Sequence, residues 1–272
     1  MTLHTPPTSG QIGFRQGEAY IRLVPNKVES EALGLQVFDL SQFNLPGIQQ
    51  LDKFRQDFQT FLQSLELEPP YFIQTRIKSH SRDKIRFLQY LGFKVTELTQ
   101  HPYFDLSHKH ANDSESIGNL GMEVITDTAQ AQHLARMYRN SFAINRLSFD
   151  GGFNQRIISK RFESWIAGSV ADPTKELIRV MKSRTNEDVA LFLVRKSMEK
   201  EVFWELTALR ETSQSQGIAK DVWQVLLNYH QRQQVQKISS NFSSENVKLF
   251  KIYLDLGFRL GEPSVAMHLW PI

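Results

Sequence analysis

Two stretches of this chain follow the same order of elements, and that repeat narrows the available folds more than any other feature. Residues Tyr71 to Leu106 and Val235 to Leu269 each carry a β-rich run, a polar loop with Ser, a short helical segment, then Leu-Gly-Phe and a basic residue. The first copy reads Leu91-Gly92-Phe93-Lys94 and the second Leu256-Gly257-Phe258-Arg259. A glycine in this place ends a helix in the left-handed conformation, and the Phe after it packs back on the sheet. Helix, Gly and apolar residue are common in succession; the shared order of whole elements is what marks a structural repeat. Aligned on Leu-Gly-Phe, Tyr253 falls opposite Leu88 and Asn246 opposite Ser81.

Periodicity places the remaining elements. Before the first repeat, Ala19–Val24 and Leu35–Leu40 read as strands. Leu51, Phe54, Phe58, Phe61, Leu62 and Leu65 recur at helical spacing from about Ile48 to Leu65, and Pro69-Pro70 stops that helix. Inside the repeat, Tyr71–Ile77 is β-rich, Lys84–Leu91 is a short helix, and Lys94–Leu106 is a strand pair or one long strand. Further on, Met122–Ile125 is a strand and Thr128–Asn140 a helix, with Thr126 or Asp127 as its cap. Ser141–Gly152 reads as a loop, followed by a helix over Phe153–Ile166. Leu177–Met181, Val189–Val194 and Val202–Leu209 are separated by short turns and should form an antiparallel meander. A helix from about Gly217 to Gln233, a strand at Lys237–Ser240, a helix at Glu245–Leu256 and a strand at Val265–Trp270 complete the chain. This order fits an α/β protein with a mixed sheet and helices on both faces.

Ser107–Gly118 holds Ser, His, Lys, Asn, Asp and Glu with almost no apolar residue, so the domain boundary is expected there. The resulting division is a disordered leader at 1–18, an N-terminal domain at 19–106, a linker at 107–118 and a C-terminal domain at 119–272. With 272 residues, one large or two small domains can bury a sizeable core.

Composition removes several classes of function. There is no Cys, which excludes disulfides, thiolate metal sites and cysteine nucleophiles. The eight His are scattered without a metal-ligand pair on a helix face, so no metal is expected. Net charge is only +3 and no basic stripe is visible, so no nucleic acid is expected as partner. No stretch approaches the length of a membrane span. Met1 to Gly10 lacks the basic start and apolar run of a secretory signal, so a cytoplasmic protein without a membrane partner is expected.

The strongest chemical signal runs from Leu209 to Ala219: an apolar strand enters a loop that opens a long helix. Gln214, Gly217 and Ala219 fit Arg/Gln-x-x-Gly-x-Gly/Ala. A pyrophosphate must reach several backbone N–H groups at a helix start, so side chains there must be absent or small, and the helix dipole favours the anion. Many ordinary strand–loop–helix turns also contain Gln, Gly and Ala. No Gly-Lys-Ser/Thr follows, which excludes a P-loop, and a single Gly excludes a dinucleotide fingerprint.

The helix before the second Leu-Gly-Phe adds a second motif. Asn246, Tyr253, Gly257 and Phe258 match the signature Asn-x-x-Ala-x-x-Leu-Tyr-x-x-x-Gly-Phe, with Leu249 and Ile252 where Ala and Leu are commoner. With both motifs in the right order, the C-terminal half resembles the GNAT acetyltransferases. The N-terminal half, without a glycine loop of the same kind, looks like a degenerate, partial GNAT domain. A further resemblance, to the dTDP-fucosamine acetyltransferases, rests on Ser141-Phe142, Arg146, Asp150 and Arg161-Phe162-Glu163-Ser164-Trp165-Ile166. The glycine loop here is longer and poorer in Gly, so acceptor identity does not transfer.

The resemblance implies acetyl-CoA as co-substrate and direct transfer to a primary amine of a small molecule, a nucleotide-linked amino sugar being one candidate. Gln214, Ser215, Gln216, Gly217, Ile218 and Ala219 would hold the pyrophosphate, and Asn246 would touch the pantetheine arm unless it serves only as a helix cap. Leu209 would lie nearest the acetyl group, beside a backbone oxyanion donor. Tyr253 would protonate the departing thiolate; an aromatic packed on the sheet would look the same. Glu205 lies four residues before Leu209, on the same side of a regular strand, and is the candidate base or else a solvent-facing carboxylate. Arg146 would bind a substrate phosphate, or is a surface Arg. The alternatives are a peptide, protein N-terminal or lysine acetyltransferase, and a non-catalytic acyl-CoA-binding module. A monomer or homodimer fits either.

Overall fold

The computed structural model describes residues 11–65, 67, 70–107, 119–197, 199–214 and 216–270. The chain forms two compact units, one running to Leu98 and resuming at Ser264, the other spanning Thr99–Pro263.

The first unit holds β1 (Ile12–Gln16), β2 (Ala19–Pro25), α1 (Lys27–Leu33), β3 (Gln36–Asn44), a 3-10 turn at Ile48–Gln50, α2 (Leu51–Ser64), β4 (Tyr71–Lys78), α3 (Arg82–Tyr90) and β5 (Lys94–Gln100). The last strand of the chain, β14 (Ser264–Leu269), lies between β4 and β5, giving the order β1-β2-β3-β4-β14-β5. β14 runs antiparallel to β4, from Ser264↔Lys78 to Leu269↔Ile73. The aromatic spacing of α2 buries Phe54, Phe58, Phe61 and Leu62 against the sheet. Phe14 of β1 meets Phe54 edge-on at 5.0 Å.

The second unit holds β6 (Pro102–Asp105), β7 (Leu120–Ile125), α4 (Thr128–Tyr138), α5 (Arg146–Asp150), α6 (Gln155–Gly168), β8 (Lys175–Lys182), β9 (Asp188–Lys196), β10 (Glu201–Leu209), α7 (Ala219–Arg232), β11 (Lys237–Ser240), β12 (Phe242–Ser243), α8 (Val247–Asp255) and β13 (Arg259–Leu260). Its sheet order is β13-β6-β11-β10-β9-β8-β7. β8 to β10 form the expected antiparallel meander, β7 extends it antiparallel to β8, and β10 pairs with β11 in parallel. α7 and α8 cover one face with Val222, Trp223, Leu226, Leu249, Tyr253 and Leu256. Asp127 caps α4, accepting from Gln130 N at 2.7 Å.

The repeat is present in detail. Ser81 and Asn246 stand at the N-caps of α3 and α8. Gly92 has φ 101° and Gly257 φ 87°, the left-handed region the alignment requires. Phe93 N donates to Leu88 O at 2.9 Å, and Phe258 N to Tyr253 O at 3.0 Å.

The expected boundaries need correction. Residues 11–18 are not leader, since β1 lies there and Phe14 packs into the core of the first unit. Residues 1–10, and 108–118 of the expected linker, lie outside the described residues. Lys94–Leu106 is a pair of strands whose members go to different sheets: β6 sits beside β11 in the second unit. Only His101 separates β5 from β6, and a hairpin needs at least about two loop residues, so β6 cannot fold back on β5. Its counterpart β14 goes to the first unit, so the first unit is not a continuous stretch of sequence, while the second runs unbroken from Thr99 to Pro263.

Candidate active site

The site begins where two parallel strands part. β10 and β11 pair from Glu201↔Lys237 to Trp204↔Ser240, and the pairing stops there. On its other edge β10 stays in register with β9, but Trp204 opposes Val194 while Leu206 opposes Leu193, leaving Glu205 as the extra residue of a bulge. A bulge bends its strand and increases local twist. β10 therefore leaves β11, and among the described residues the backbone edge of its last residues has no neighbouring strand. The outer end of the opening is Leu209, and its vertex lies at Trp204 and Ser240.

The bulge also changes which side chains share a face. Partners in register lie on one face of a sheet, so Trp204, Thr207 and Leu209 face the α7–α8 core with Val194, Phe192 and Ala190. Glu205 binds Arg195, which lies on the other face. The expectation that Glu205 and Leu209 share a side is thus wrong, because it assumed an uninterrupted strand. Glu205 is held between two cations: Arg195 Nε lies 2.8 Å from one carboxylate oxygen and Lys175 Nζ 3.5 Å from the other.

Tyr253 reaches the vertex from α8. Its hydroxyl donates to Ser240 Oγ at 3.0 Å, and Ser240 donates to the Trp204 carbonyl at 2.9 Å. The ring stacks on Phe242 at 5.3 Å and meets Phe258 edge-on at 4.7 Å. Tyr253 is fully buried. Burial pushes its hydroxyl up to about 12, against the opposing pull of its hydrogen bond with Ser240 and of the neighbouring polar groups of Trp223 and Thr207. Ser240, Thr207 and Trp223 had no signal in the sequence, because a strand-end Ser and a mid-strand Thr look like any others.

At the outer end the loop turns into α7. Gly217 has φ 75°, and a Cβ added there would meet nothing within 4 Å. Glycine is needed for the backbone angle, and the space beside it is open. Ile218, at the N-cap of α7, makes no side-chain cap hydrogen bond, so among the described residues the first N–H groups of this 14-residue helix have no side-chain cap. Ala219 is the first helical residue. Gln216 Nε2 donates to Thr212 O at 2.6 Å, and Gln214 Nε2 lies 3.5 Å from Leu209 O. Ser213, also in this loop, is buried, and its hydroxyl has no hydrogen-bond partner among the described residues. Ser215 lies outside the described residues. An uncapped helix start, a left-handed glycine and open space fit a pyrophosphate.

Asn246 caps α8, accepting from Leu249 N at 3.1 Å through its amide oxygen, which leaves its NH2 group for other partners. Arg146 is the first residue of α5, inside the stretch expected to be a loop. That short helix is capped by Asn145, whose side chain accepts from Leu147 N at 2.9 Å.

The first unit repeats the frame without the site. β3 and β4 pair in parallel from Gln36↔Tyr71 to Asp39↔Gln74, and Ser41 is the extra residue of a bulge in β3. Leu88 occupies the position of Tyr253. The Asp39 carboxylate accepts from Gln74 Nε2 at 2.8 Å and Asn26 Nδ2 at 2.9 Å near the parting point. Asp52 stands in the first turn of α2. Acidic groups at both ends of this opening oppose an anionic ligand.

Among the described residues, no helix is long and apolar enough to cross a membrane, and no group of three His, Asp or Glu could hold a metal ion.

No protein-family model and no curated protein matches the chain. Solved structures do. A GCN5-related N-acetyltransferase from Sphaerobacter thermophilus matches over 93% of this chain and 76% of its own, with TM-score 0.62 and 12% identity. A tandem GNAT protein from the clavulanic acid biosynthesis pathway, solved without AcCoA, matches over 98% and 85%, with TM-score 0.59 and 10% identity. A GCN5-related N-acetyltransferase from Kribbella flavida matches over 95% and 89%, with TM-score 0.58 and 9% identity. The likeness is one of fold: a GNAT fold together with a partial GNAT-like unit.

Proposed function

We propose that this chain is an acetyl-CoA-dependent N-acetyltransferase acting on a primary amine of a small molecule, with nucleotide-linked amino sugars as the candidate class. The observation that carries the reading is the parting of β10 from β11 beside the uncapped start of α7. One opening then offers a phosphate-binding helix end, free strand backbone along its length, and a buried hydroxyl at its vertex. The fold's solved relatives described as N-acetyltransferases support the same reading.

In this reading the pyrophosphate rests on the Gln216–Ala219 backbone and the pantetheine arm runs inward past Leu209. The thioester lies deeper, near Leu206 and Thr207, because Tyr253 meets Thr207 and Ser240 there. The neutral amine attacks the thioester carbonyl carbon, and the carbonyl oxygen takes the charge against unpaired β10 N–H groups. Collapse breaks the C–S bond, and the thiolate takes the proton of Tyr253. The amine's excess proton passes to water, and a proton from water returns to the Tyr253 oxygen, which restores the hydroxyl for the next turnover. Glu205 holds the bulge through Arg195 and Lys175 and is assigned no proton transfer.

Calorimetric titration with CoA, together with label transfer from acetyl-CoA to an amine panel that includes amino-sugar nucleotides, tests the proposal. Gly217→Glu sets a carboxylate and a strained left-handed residue at the phosphate position, and CoA binding should be lost in a folded protein. Tight CoA binding by that variant would place the cofactor elsewhere. CoA binding by the native chain with no transfer to any amine would leave a non-catalytic acyl-CoA-binding module. Labelling of peptide amines alone would move the acceptor class to peptides.

A further inference from the structure

A second concave region lies in the second unit away from this opening, in a cleft of about 750 Å³ between α4 and α6. Arg136 and Arg139 line it from α4 and the residue after it; Arg156 and Lys160 line it from α6. Gln132, Arg136 and Arg139 fall one turn apart, as do Arg156, Lys160 and Glu163, so each helix presents a continuous stripe to the cleft. The floor is fixed by Ser159, buried, whose hydroxyl donates to Asn140 Oδ1 at 2.8 Å. Four cations therefore face one carboxylate, Glu163, and Arg139 Nη1 already holds that carboxylate at 3.1 Å. α6 has no acidic residue in its first turn and carries Arg156 there, where the helix end is itself positive. Like charges gathered in this way destabilise the helix pair unless an anion lies among them.

We propose that this cleft binds a small ligand bearing two or more phosphate groups. Guanidinium forks match phosphate oxygens bidentately, and three of the four cations are Arg. Among the described residues Ala167 is the one apolar residue lining the cleft, and these residues offer no aromatic or large aliphatic anchor of the kind that centres a protein interface. The cleft lies on α4 and α6, apart from the β10–α7 loop, so the proposal stands independently of acetyl transfer.

The test is calorimetric titration of the full chain with inorganic pyrophosphate and tripolyphosphate. The β10–α7 loop is a second place for pyrophosphate, so the titration is repeated in Gly217→Glu. Binding should persist in Gly217→Glu and weaken at least about tenfold in Arg136→Gln/Arg156→Gln, since each lost charge-assisted contact is worth about that factor. The corresponding double Lys variant should recover part of the affinity. The substituted side chains are exposed and two like charges are removed, so melting temperatures without ligand should be at or above that of the native chain; should the double variant fail to fold, Lys160→Gln alone gives the same reading. No measurable binding, binding unaffected by the Arg substitutions, or binding lost in Gly217→Glu overturns the proposal. An oligoglutamate peptide binding as tightly as tripolyphosphate also overturns it, and makes the cleft a docking surface for acidic protein segments.

Discussion

Tyr253 and His230 are both buried aromatics beside Trp204, and they differ in what their polar atoms can do. The Tyr253 hydroxyl is a donor aimed at the vertex of the strand opening, and burial keeps it protonated up to about pH 12. Tyr253→Phe keeps the ring and its packing and removes only that donor. Single-turnover rates should fall by about 10²–10⁴-fold with little change in CoA affinity; a native rate would make Tyr253 a packing residue. His230 works through the fold. Its Nε2 accepts from Trp204 Nε1 at 3.0 Å, so the imidazole must be neutral, and burial, helped by Lys196, holds its pKa down to about 3. The unfolded chain takes up a proton below about 6.5, where the folded chain refuses it. The lowered folded pKa means that the stabilisation is complete above about 6.5 and is lost as pH falls toward 3. Urea unfolding should show stability falling by up to about 1.4 kcal/mol per pH unit in that window, or about 2 kcal/mol by pH 5. His230→Gln keeps an acceptor for the Trp204 indole and removes the titration, so it should flatten this part of the profile. An unchanged slope would assign the acid sensitivity to other groups.

Legibility in the sequence follows how local each element's determinants are. α2, α7 and α8 announce themselves through helical spacing of Phe, Leu and Val, and the two left-handed glycines are readable because only glycine takes that angle without strain. β1 has five residues and α1 seven, too few for a period to emerge. α5 rests on the Asn145 cap inside a polar stretch. The bulge in β10 is the costliest omission, because nothing in Trp204-Glu205-Leu206 marks an extra residue. Alternation counted straight through it puts Glu205 on the wrong face. The same register yields a prediction. Deleting Glu205 leaves Trp204 opposite Val194 and Leu206 opposite Leu193, so every remaining side chain of β10 keeps its face while the strand straightens. The deletion variant should fold, with near-native far-UV circular dichroism, yet lose CoA binding because β10 no longer parts from β11. Glu205→Gln keeps the residue count and should retain CoA binding with a turnover within about tenfold of native, well short of a general-base loss. Native CoA affinity in the deletion variant would mean that the bulge does not make the opening.

The exchange of β6 and β14 had no signature to read, since an alternating strand looks the same whichever sheet receives it. A boundary placed in the polar stretch 107–118 therefore suggests two autonomous halves, and the sheet orders contradict that. Residues 19–106 carry β6, which the second unit uses between β11 and β13, and lack β14. Residues 119–272 carry β14 and lack β6. β14 is buried along its whole length, with Ala266 and Met267 at 0% exposure, so a first unit without it opens its sheet between β4 and β5. A second unit without β6 loses Phe104, which packs on Phe258 at 5.0 Å, and leaves β11 with an unpaired edge beside the proposed site. Unpaired interior edges and exposed core surface destabilise each half and favour aggregation. A fragment of residues 11–106 and one of 119–272, each produced alone, should show low protection of amides in β4 and β11 by hydrogen exchange. Mixed or co-expressed, the two fragments can restore both sheets, and protection in β4 and β11 should return together, along with CoA binding. Independent folding of the second fragment, with native protection in β11 and full CoA affinity, would mean that β6 is dispensable to the site.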